Sequence, residues 1–343
     1  MATTTTPLST LSASLSSPSS SSSSSSRGPS LRSCPTRLAA LVGCAAAALA
    51  VGCGEPPMDQ TLDPPKTMEP PGMVEMKPDR LTLQGKWTLK PGEETYRCFL
   101  LRWNRADGLA IRKIAPKSSP GVHHIGVFTD ELRAEKRDQW ECEEMGLWGY
   151  VFGGGVGTGD LQMPANAARH IDDGTPLILQ VHLLNASPAT LESVATVDLE
   201  LAPAGSKTDP VGTWLVGKTS LNLPAMQKTA VDSVCNKHPE LANVFAVFPH
   251  MHKLGDALDI TAGADRATKV LSMPKWDFGD QGTLPVAPSQ RIAADVPIQT
   301  RCSYNNNTDK AVNFGLHTGD EMCVAVLYYW PETQASGLNI CQR

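Results

Sequence analysis

Aromatic residues are scarce in this sequence and make up 6% of its 343 positions. It also contains no Cys-x-x-Cys pair and no cluster of basic residues, and its net charge is −5. The lack of a basic cluster argues against a nucleic-acid partner, and the lack of closely paired cysteines argues against a cysteine-rich zinc site. No apolar run reaches the roughly 20 residues that a membrane-spanning helix needs. The core must therefore depend largely on Leu, Val, Ile and Met.

Residues 1–53 are predicted to be a low-complexity start followed by a signal peptide. A Ser-rich tract precedes three arginines, and the apolar run Leu38–Gly52 ends in small residues, as secretory signals do. The ending Ala-Val-Gly-Cys53 resembles a bacterial lipobox, in which the cysteine carries a lipid. Cys44 is an alternative, but cleavage there would leave too short an apolar region. We expect an exported lipoprotein, anchored at the outer membrane, in the periplasm or at the cell surface; an ordinary secretory signal is the alternative.

The rest of the chain is predicted to be a tether followed by two domains. Residues 54–78 are rich in proline, which is typical of a semi-rigid linker. Short segments rich in Val, Ile, Leu, Phe and Tyr then alternate with Gly, Pro, Asn and Asp clusters, a pattern typical of β-sandwiches. A break at Pro203–Val211 divides this part into 79–204 and 205–343. We predict an all-β protein with two consecutive antiparallel, jelly-roll-like β-sandwich domains.

Apart from Cys53, which would carry the lipid, the predicted mature chain keeps six cysteines, an even number. In an exported protein such a set indicates disulfide bonds. Six cysteines allow 15 pairings, and their spacing does not choose among these. The residues are Cys98, Cys142, Cys235, Cys302, Cys323 and Cys341.

Five of the eight histidines fall into three strand-like motifs: His123-His124, His182 and His250-x-His252. Residues i and i+2 of a strand share a face, so His250 and His252 can converge on one ion. His123 and His124 would point to opposite faces, and both can bind one ion only if a bulge or turn re-aims one of them. Thioether sulfur favours Cu(I), so a His-x-His pair joined by Met322 favours copper.

Each of these features also has an ordinary structural interpretation. A His-His pair can lie on the surface, a lone Met can fill a core, and an exported zinc protein would use the same imidazoles. We interpret His170 and His238 as solvated, and His317 as a loop residue that could approach a metal. The glycine-rich run 153–159 lacks the lysine ending of a phosphate-binding loop and is interpreted as a flexible loop.

Together, the motifs resemble those of the copper type II, ascorbate-dependent monooxygenases, the family of peptidylglycine α-hydroxylating monooxygenase and dopamine β-monooxygenase. The resemblance spans Leu81 to Cys341, with the motifs in the family's order. It implies two copper ions per chain, O₂, a small-molecule substrate, and ascorbate or another one-electron reductant. It also implies that the second electron crosses a solvent-filled gap between the domains. The electron-transfer copper would be held by His123, His124 and His182, and the catalytic, oxygen-binding copper by His250, His252 and Met322.

The resemblance also implies a disulfide pairing: Cys98–Cys142, Cys235–Cys341 and Cys302–Cys323. Gln180 and Asp320 are close enough in sequence to the proposed ligands to be candidates for orienting their imidazoles.

The sequence departs from the peptidylglycine enzymes where those enzymes bind the substrate carboxylate. Their Arg, two residues before the His-x-His motif, is Phe248 here. Their Asn and Tyr, two and four residues after the Met, are Val324 and Val326. A carboxylate taken out of water needs paired donors, so we predict hydroxylation of an activated C–H bond in a more apolar substrate than peptidylglycine. The alternative is a non-enzymatic, exported copper-binding or delivery protein on the same fold.

Overall fold

The computed structural model describes residues 72–142, 146–333 and 340–342. The predicted signal peptide, Cys44, Cys53 and residues 54–71 of the tether lie outside the described residues. No helix long and apolar enough to cross a membrane occurs within the described ranges. All regular elements there are β-strands, as predicted.

The strands are β1 Gly72–Lys77, β2 Arg80–Leu89, β3 Glu94–Leu101, β4 Leu109–Ser118, β5 Val122–Thr129, β6 Gln139–Glu141, β7 Gly149–Gly155, β8 Leu161–Gln162, β9 Ala167–Ile171, β10 Leu177–Leu184, β11 Leu191–Leu201, β12 Asp209–Pro210, β13 Gly212–Lys218, β14 Asn222–Leu223, β15 Gln227–Cys235, β16 Leu241–His250, β17 Gly255–Ala262, β18 Thr268–Met273, β19 Leu284–Ile292, β20 Ile298–Asn306, β21 Val312–Asn313, β22 Cys323–Trp330 and β23 Ile340–Gln342.

Strands β1 to β11 build the first sandwich from two antiparallel sheets. One has the order β1-β2-β11-β4-β9, with β8 beside β4 and the short β12 added in parallel to β9; the other has the order β6-β3-β10-β5-β7. Strand β2 shows why a sandwich forms, because Leu81 and Leu83 are buried while their neighbours are only partly covered. This alternation places one apolar face of each sheet against the other.

Strands β13 to β23 build the second sandwich. Its larger sheet has the order β19-β16-β22-β13-β23, and it packs against the sheet β15-β20-β17-β18, with the small pair β14-β21 beside them. Val247 of β16 and Leu327 of β22 point into this second core together with Leu258 of β17. The structure therefore confirms the predicted all-β sandwich class.

The outer faces of the two five-stranded sheets meet. Along β5, Ile125 and Val127 point into the first core, whereas His124, Gly126 and Phe128 face outward. Phe248 of β16 and Val326 of β22 face them from the second sandwich, across a shared cavity. Because side chains alternate between faces, the strands that fill the two cores also supply the residues of this inner region.

Three disulfides form in the predicted pairing: Cys98–Cys142, Cys235–Cys341 and Cys302–Cys323. The first joins β3 to the segment after β6, at the outer face of its sheet. The third lies inside the second core and joins β20 to the first residue of β22. Met322 immediately precedes β22, so this bond fixes the residue next to Met322.

The structure corrects two interpretations of the sequence. Gly153–Gly155 are not a flexible loop but the end of β7, paired with β5. A side chain at Gly153 would collide with the Tyr150 hydroxyl, and one at Gly155 with Gln281, so these glycines allow close packing. His238 is not solvated: it is buried and hydrogen-bonded to the carbonyls of Pro239 and Val296.

Each sandwich contains the same asparagine-centred turn. The Asn185 Nδ2 atom donates to the carbonyls of Leu89, Lys90 and Ala189. The Asn306 Nδ2 atom donates to the carbonyls of Leu223, Pro224 and Lys310. Both side chains are fully buried, so the N–H groups of each amide depend on these backbone carbonyls rather than on water.

We expect Asn306→Ala to lower the free energy of unfolding by about 1–3 kcal/mol, because it removes the donor to the buried carbonyl of Leu223 and to two partly buried carbonyls. The matched control is Asn305→Ala on the same strand, where the side chain is exposed and the change should stay within about 0.5 kcal/mol. Urea unfolding followed by circular dichroism measures both. Equal effects of the two substitutions would contradict the role given to Asn306.

Candidate metal centre

Three histidines of the first sandwich form a compact group. His123 and His124 lie on β5 and His182 lies on β10, and one ring nitrogen of each lies within 4.8 Å of the others. His124 is directly opposite His182 in the strand pairing, and His182 is directly opposite Tyr96 on β3. The group is therefore built on the central strands of a sheet, where backbone hydrogen bonds fix the positions of the side chains.

A strand irregularity brings the two adjacent histidines together. The register between β10 and β5 shifts after His182, so that Leu183 pairs with Val122 and His123 has no partner on β10. The Nδ1 atoms of His123 and His124 are 3.5 Å apart. This is the bulge that the sequence required if both rings were to face one ion.

The ring of His182 is held on two sides. Its Nε2 atom lies 2.9 Å from Glu94 Oε1, and its ring stacks on Tyr96 with centroids 4.3 Å apart. Its Nδ1 atom is buried and has no hydrogen-bond partner. With Nε2 donating to the carboxylate, Nδ1 is a free lone pair, and it faces the other two rings.

The second group comprises His250, His252 and Met322. His250 is the last residue of β16, and His252 follows in the turn before β17, so only the first of them is within the strand. Met251 between them points into the second core, which keeps the two imidazoles on the opposite side, 5.1 Å apart by ring centroids. Met322 is buried and lines the same cavity as His250.

Each imidazole of this group is also oriented through one nitrogen. His250 Nδ1 lies 2.8 Å from Gln281 Oε1, and His252 Nδ1 lies 3.1 Å from the carbonyl oxygen of Asp320. The Nε2 atom of His252 is buried and has no hydrogen-bond partner. As in the first group, the polar partners fix the tautomer and leave the other nitrogen available as a ligand.

A buried carboxylate holds the backbone beside His252 and Met322. Glu321 is fully buried, and its oxygens accept hydrogen bonds from the backbone N–H groups of His252, Leu254 and Met322. Burial raises the pKa of Glu321 to about 7, although the backbone donors act in the opposite direction. One side chain thus fixes the turn after β16 and the residue before β22, which together carry His252 and Met322.

The loop before β19 contacts both groups and was not identified from the sequence. Phe278 stacks on His123 with centroids 4.2 Å apart. Gln281 holds His250, and the indole N–H of Trp276 donates to the carbonyl of His252. The available sequence signal for this loop was its two aromatic residues, Trp276 and Phe278, in a chain that has few aromatic residues.

The two groups adjoin each other. The rings of His124 and His250 are in edge contact, with centroids 5.2 Å apart. The solvent-filled gap expected from the resemblance is therefore not seen between these residues. The physical reason is that Phe128, Phe248 and Val326 cover the facing sheets with apolar surface, which packs together rather than face water.

The environment favours the neutral imidazole at His123, His124, His250 and His252. Burial lowers the pKa of His123 and of His252 to about 4, and neighbouring imidazoles contribute further. Burial likewise moves the pKa of His124 and His250 well below the usual range. Metal ligation needs the neutral ring, so protons do not compete for these four rings at neutral pH.

The donor sets fit copper. Each group has a buried imidazole nitrogen without a partner, on His182 and on His252, and the other ring nitrogen of these two residues contacts a carboxylate or a carbonyl. A buried imidazole nitrogen without a partner is costly unless a ligand satisfies it. Three imidazoles suit several transition metals, whereas two imidazoles beside a thioether favour copper in its Cu(I) state.

The remaining predicted residues are placed as follows. Asp320 contacts His252 through its backbone carbonyl rather than its carboxylate. Gln180 lines the cavity, but its amide donates to Sγ of Cys142. His317 lies in the loop before β22 with an exposed side chain, and His170 is exposed beside Thr208.

Removing the acceptor that orients His250 tests this arrangement. We expect Gln281→Leu to weaken copper binding at the second group by about 10–100-fold, the usual cost of losing such a partner. Competition titration with a copper chelator measures it. Gln290→Leu, on the more exposed part of β19, is the matched control and should leave the affinity unchanged. An unchanged affinity in Gln281→Leu would refute the assignment of His250 as a ligand held by this amide.

Comparison with known proteins gives a family match for the second sandwich. Structures of infectious bursal disease virus Gt and Gx strains each share 11% identity with the chain, covering 79% of it and 74% of the viral chain, with a TM-score of 0.20; at that score the likeness carries no information on function. Residues 211–343 match the family "Copper type II ascorbate-dependent monooxygenase, C-terminal domain". That match contains His250, His252 and Met322, so the second sandwich is similar to the C-terminal domain of this family.

Proposed function

We propose that the protein is a copper-dependent monooxygenase that hydroxylates an activated C–H bond, using O₂ and an external one-electron reductant such as ascorbate. The observation that carries this proposal is the paired ligand set. Three imidazoles of one sandwich and two imidazoles with a thioether of the other meet in one buried region. The family match of residues 211–343 supports the same chemistry.

Two copper ions per chain would supply one-electron redox chemistry. The overall reaction inserts one oxygen atom into the C–H bond and releases the other as water, which consumes two electrons from the reductant and two protons. A pair of unequal sites suits this stoichiometry. The softer set, with Met322, would favour Cu(I) and is the proposed catalytic site, and copper held by the all-histidine set would supply the second electron.

The chain's own residues hold and shield these sites. Glu94, Gln281 and the carbonyl of Asp320 fix one imidazole each, so that the ligands need little reorganisation. Phe278 covers His123 from the outside. Because the surrounding walls are apolar, water is largely kept away from the region where the C–H bond would react.

The cavity beside the second group supports an apolar substrate. It has a volume of about 80 Å³ and is lined by His124, His250 and Met322 together with apolar side chains of both sandwiches. Phe248, Val324 and Val326, which replace the carboxylate-binding residues of the peptidylglycine enzymes, all lie in its wall. A carboxylate buried there would lack paired donors, at a cost of several kcal/mol, so peptidylglycine is not the proposed substrate.

We also propose that the protein is exported and anchored through a lipid on Cys53. Three disulfides in the described residues support an oxidising compartment. The lipobox-like sequence before Cys53 supports the anchor.

Each group should bind its own copper ion, so the copper content per chain reports how many groups are intact. We expect about two copper ions per wild-type chain and about one in His250→Ala, measured by elemental analysis after removal of loosely bound metal. Met322→Ile should keep copper at the three-histidine group but lose most of the reductant-dependent O₂ consumption, because the thioether that favours Cu(I) is gone.

The matched control is Met163→Ile, a buried methionine of the first core. A non-enzymatic copper protein would show the same copper content but no consumption of O₂ coupled to a hydroxylated product. Copper content that is indifferent to His250→Ala would refute the site assignment.

Comparing the affinities of an uncharged ligand and a carboxylate of similar size tests the proposed substrate class. We expect copper-loaded protein to bind toluene at least tenfold more tightly than benzoate, a carboxylate of similar size, because the cavity offers apolar contact and no paired donors. Phe248→Arg should narrow this preference. Saturation-transfer NMR with competition measures both ligands. Tight, saturable binding of a peptide with a C-terminal glycine to the wild-type protein would contradict the proposed class.

A further inference from the structure

One oxygen atom of Glu94 is shared between the two sandwiches. Glu94 is the first residue of β3, and its Oε1 atom lies 2.9 Å from Nε2 of His182. The same oxygen accepts hydrogen bonds from the backbone N–H of Thr318 at 2.9 Å and from its hydroxyl at 2.6 Å. Thr318 belongs to the loop before β22 of the second sandwich and is buried. A histidine of one proposed site and a loop of the other therefore meet on a single acceptor.

A second contact runs parallel to the first. Tyr96 is two residues after Glu94 on β3, so both side chains are on the same face of the sheet. Its hydroxyl donates to the carbonyl of Leu316 at 2.6 Å, while its ring stacks on His182. Glu94 and Tyr96 thus each contact His182 and the loop that begins at Leu316.

That loop carries the determinants of the second site. Within six residues of Leu316 it supplies the carbonyl of Asp320, which orients His252, and the carboxylate of Glu321, which fixes the turn around His252. Met322 follows directly. A shift of Thr318 is therefore transmitted over a few bonds to two proposed ligands, through groups that are buried and hydrogen-bonded.

We propose that Glu94 is a positioning residue that couples the two metal sites, because its Oε1 atom anchors His182 and Thr318 together. This inference rests on the proposed function for the identity of the metal. Coupling of this kind is reciprocal. A substitution in the second sandwich that weakens the hydrogen bonds between Thr318 and Glu94 must therefore alter copper binding at the three-histidine group, because Glu94 contacts both.

The test uses the full chain carrying His250→Ala, in which the three-histidine group is the copper site that remains. In this background Thr318→Val removes the hydroxyl that binds Glu94 but keeps the shape of the side chain. We expect it to weaken Cu(II) affinity at the three-histidine group by roughly tenfold, the lower end of the range for outer partners, as measured by chelator competition. Thr318→Ser, which restores the hydroxyl, should recover the parent affinity.

The matched control is Thr283→Val. Thr283 is also a threonine of the second sandwich whose hydroxyl donates to the first, at the carbonyl of Gly153, but it does not reach Glu94. We expect its effect on affinity to be less than about twofold, within the usual range of substitutions away from such features. A loss of affinity in Thr318→Val but not in Thr283→Val supports the proposal, because a general weakening of the contact between the sandwiches would affect both.

Glu94→Ala completes the cycle. It should weaken copper binding by about 10–100-fold, and Thr318→Val should add no further loss in that background, since its partner is already gone. Additive effects, or equal affinities in parent, Thr318→Val and Thr283→Val, would overturn the coupling while leaving the proposed function in place. Absence of copper binding at the three-histidine group of the parent would overturn both.

Discussion

The site depends on the contact between the outer faces of two five-stranded sheets. Alternation along β5, β10, β16 and β22 sends one set of side chains into the sandwich cores and the other set toward the neighbouring sandwich. Because apolar residues such as Phe128, Phe248 and Val326 fill most of this contact, the polar residues placed among them are desolvated. Imidazoles in such a place remain neutral and keep a free nitrogen, which is the condition for binding a metal ion.

Polar partners around the imidazoles give this arrangement its specificity. Two of these partners are held in turn: Glu94 by Thr318 of the second sandwich, and Gln281 by the carbonyl of Phe278 in its own loop. The buried carboxylate of Glu321 then fixes the turn that follows β16. Ligand geometry is therefore set by rigid strands and by a few satisfied hydrogen bonds, and a metal ion would meet preformed groups rather than assemble them.

Much of this could be predicted from the sequence, for physical reasons. Strand alternation, turn residues and an even cysteine count are local features of the sequence. The sandwich class and the presence of disulfides could therefore be predicted from it. Adjacent His123 and His124 even required the bulge that the structure shows. Glu94, Gln281 and Phe278 were not accessible, because their roles depend on contacts between segments far apart in sequence. Gly153–Gly155 were misread for the same reason: their small size serves packing against Phe248 and Gln281.

The proximity of the two groups also could not be read from spacing. Nothing in the order of the motifs states how far His124 lies from His250, whereas packing of the sheets places their rings in contact. The most direct measurement is a crystal structure of the copper-loaded protein with anomalous data collected on both sides of the copper absorption edge. We expect two copper peaks per chain, one among His123, His124 and His182 and one among His250, His252 and Met322. A single peak, or peaks away from these residues, would contradict it.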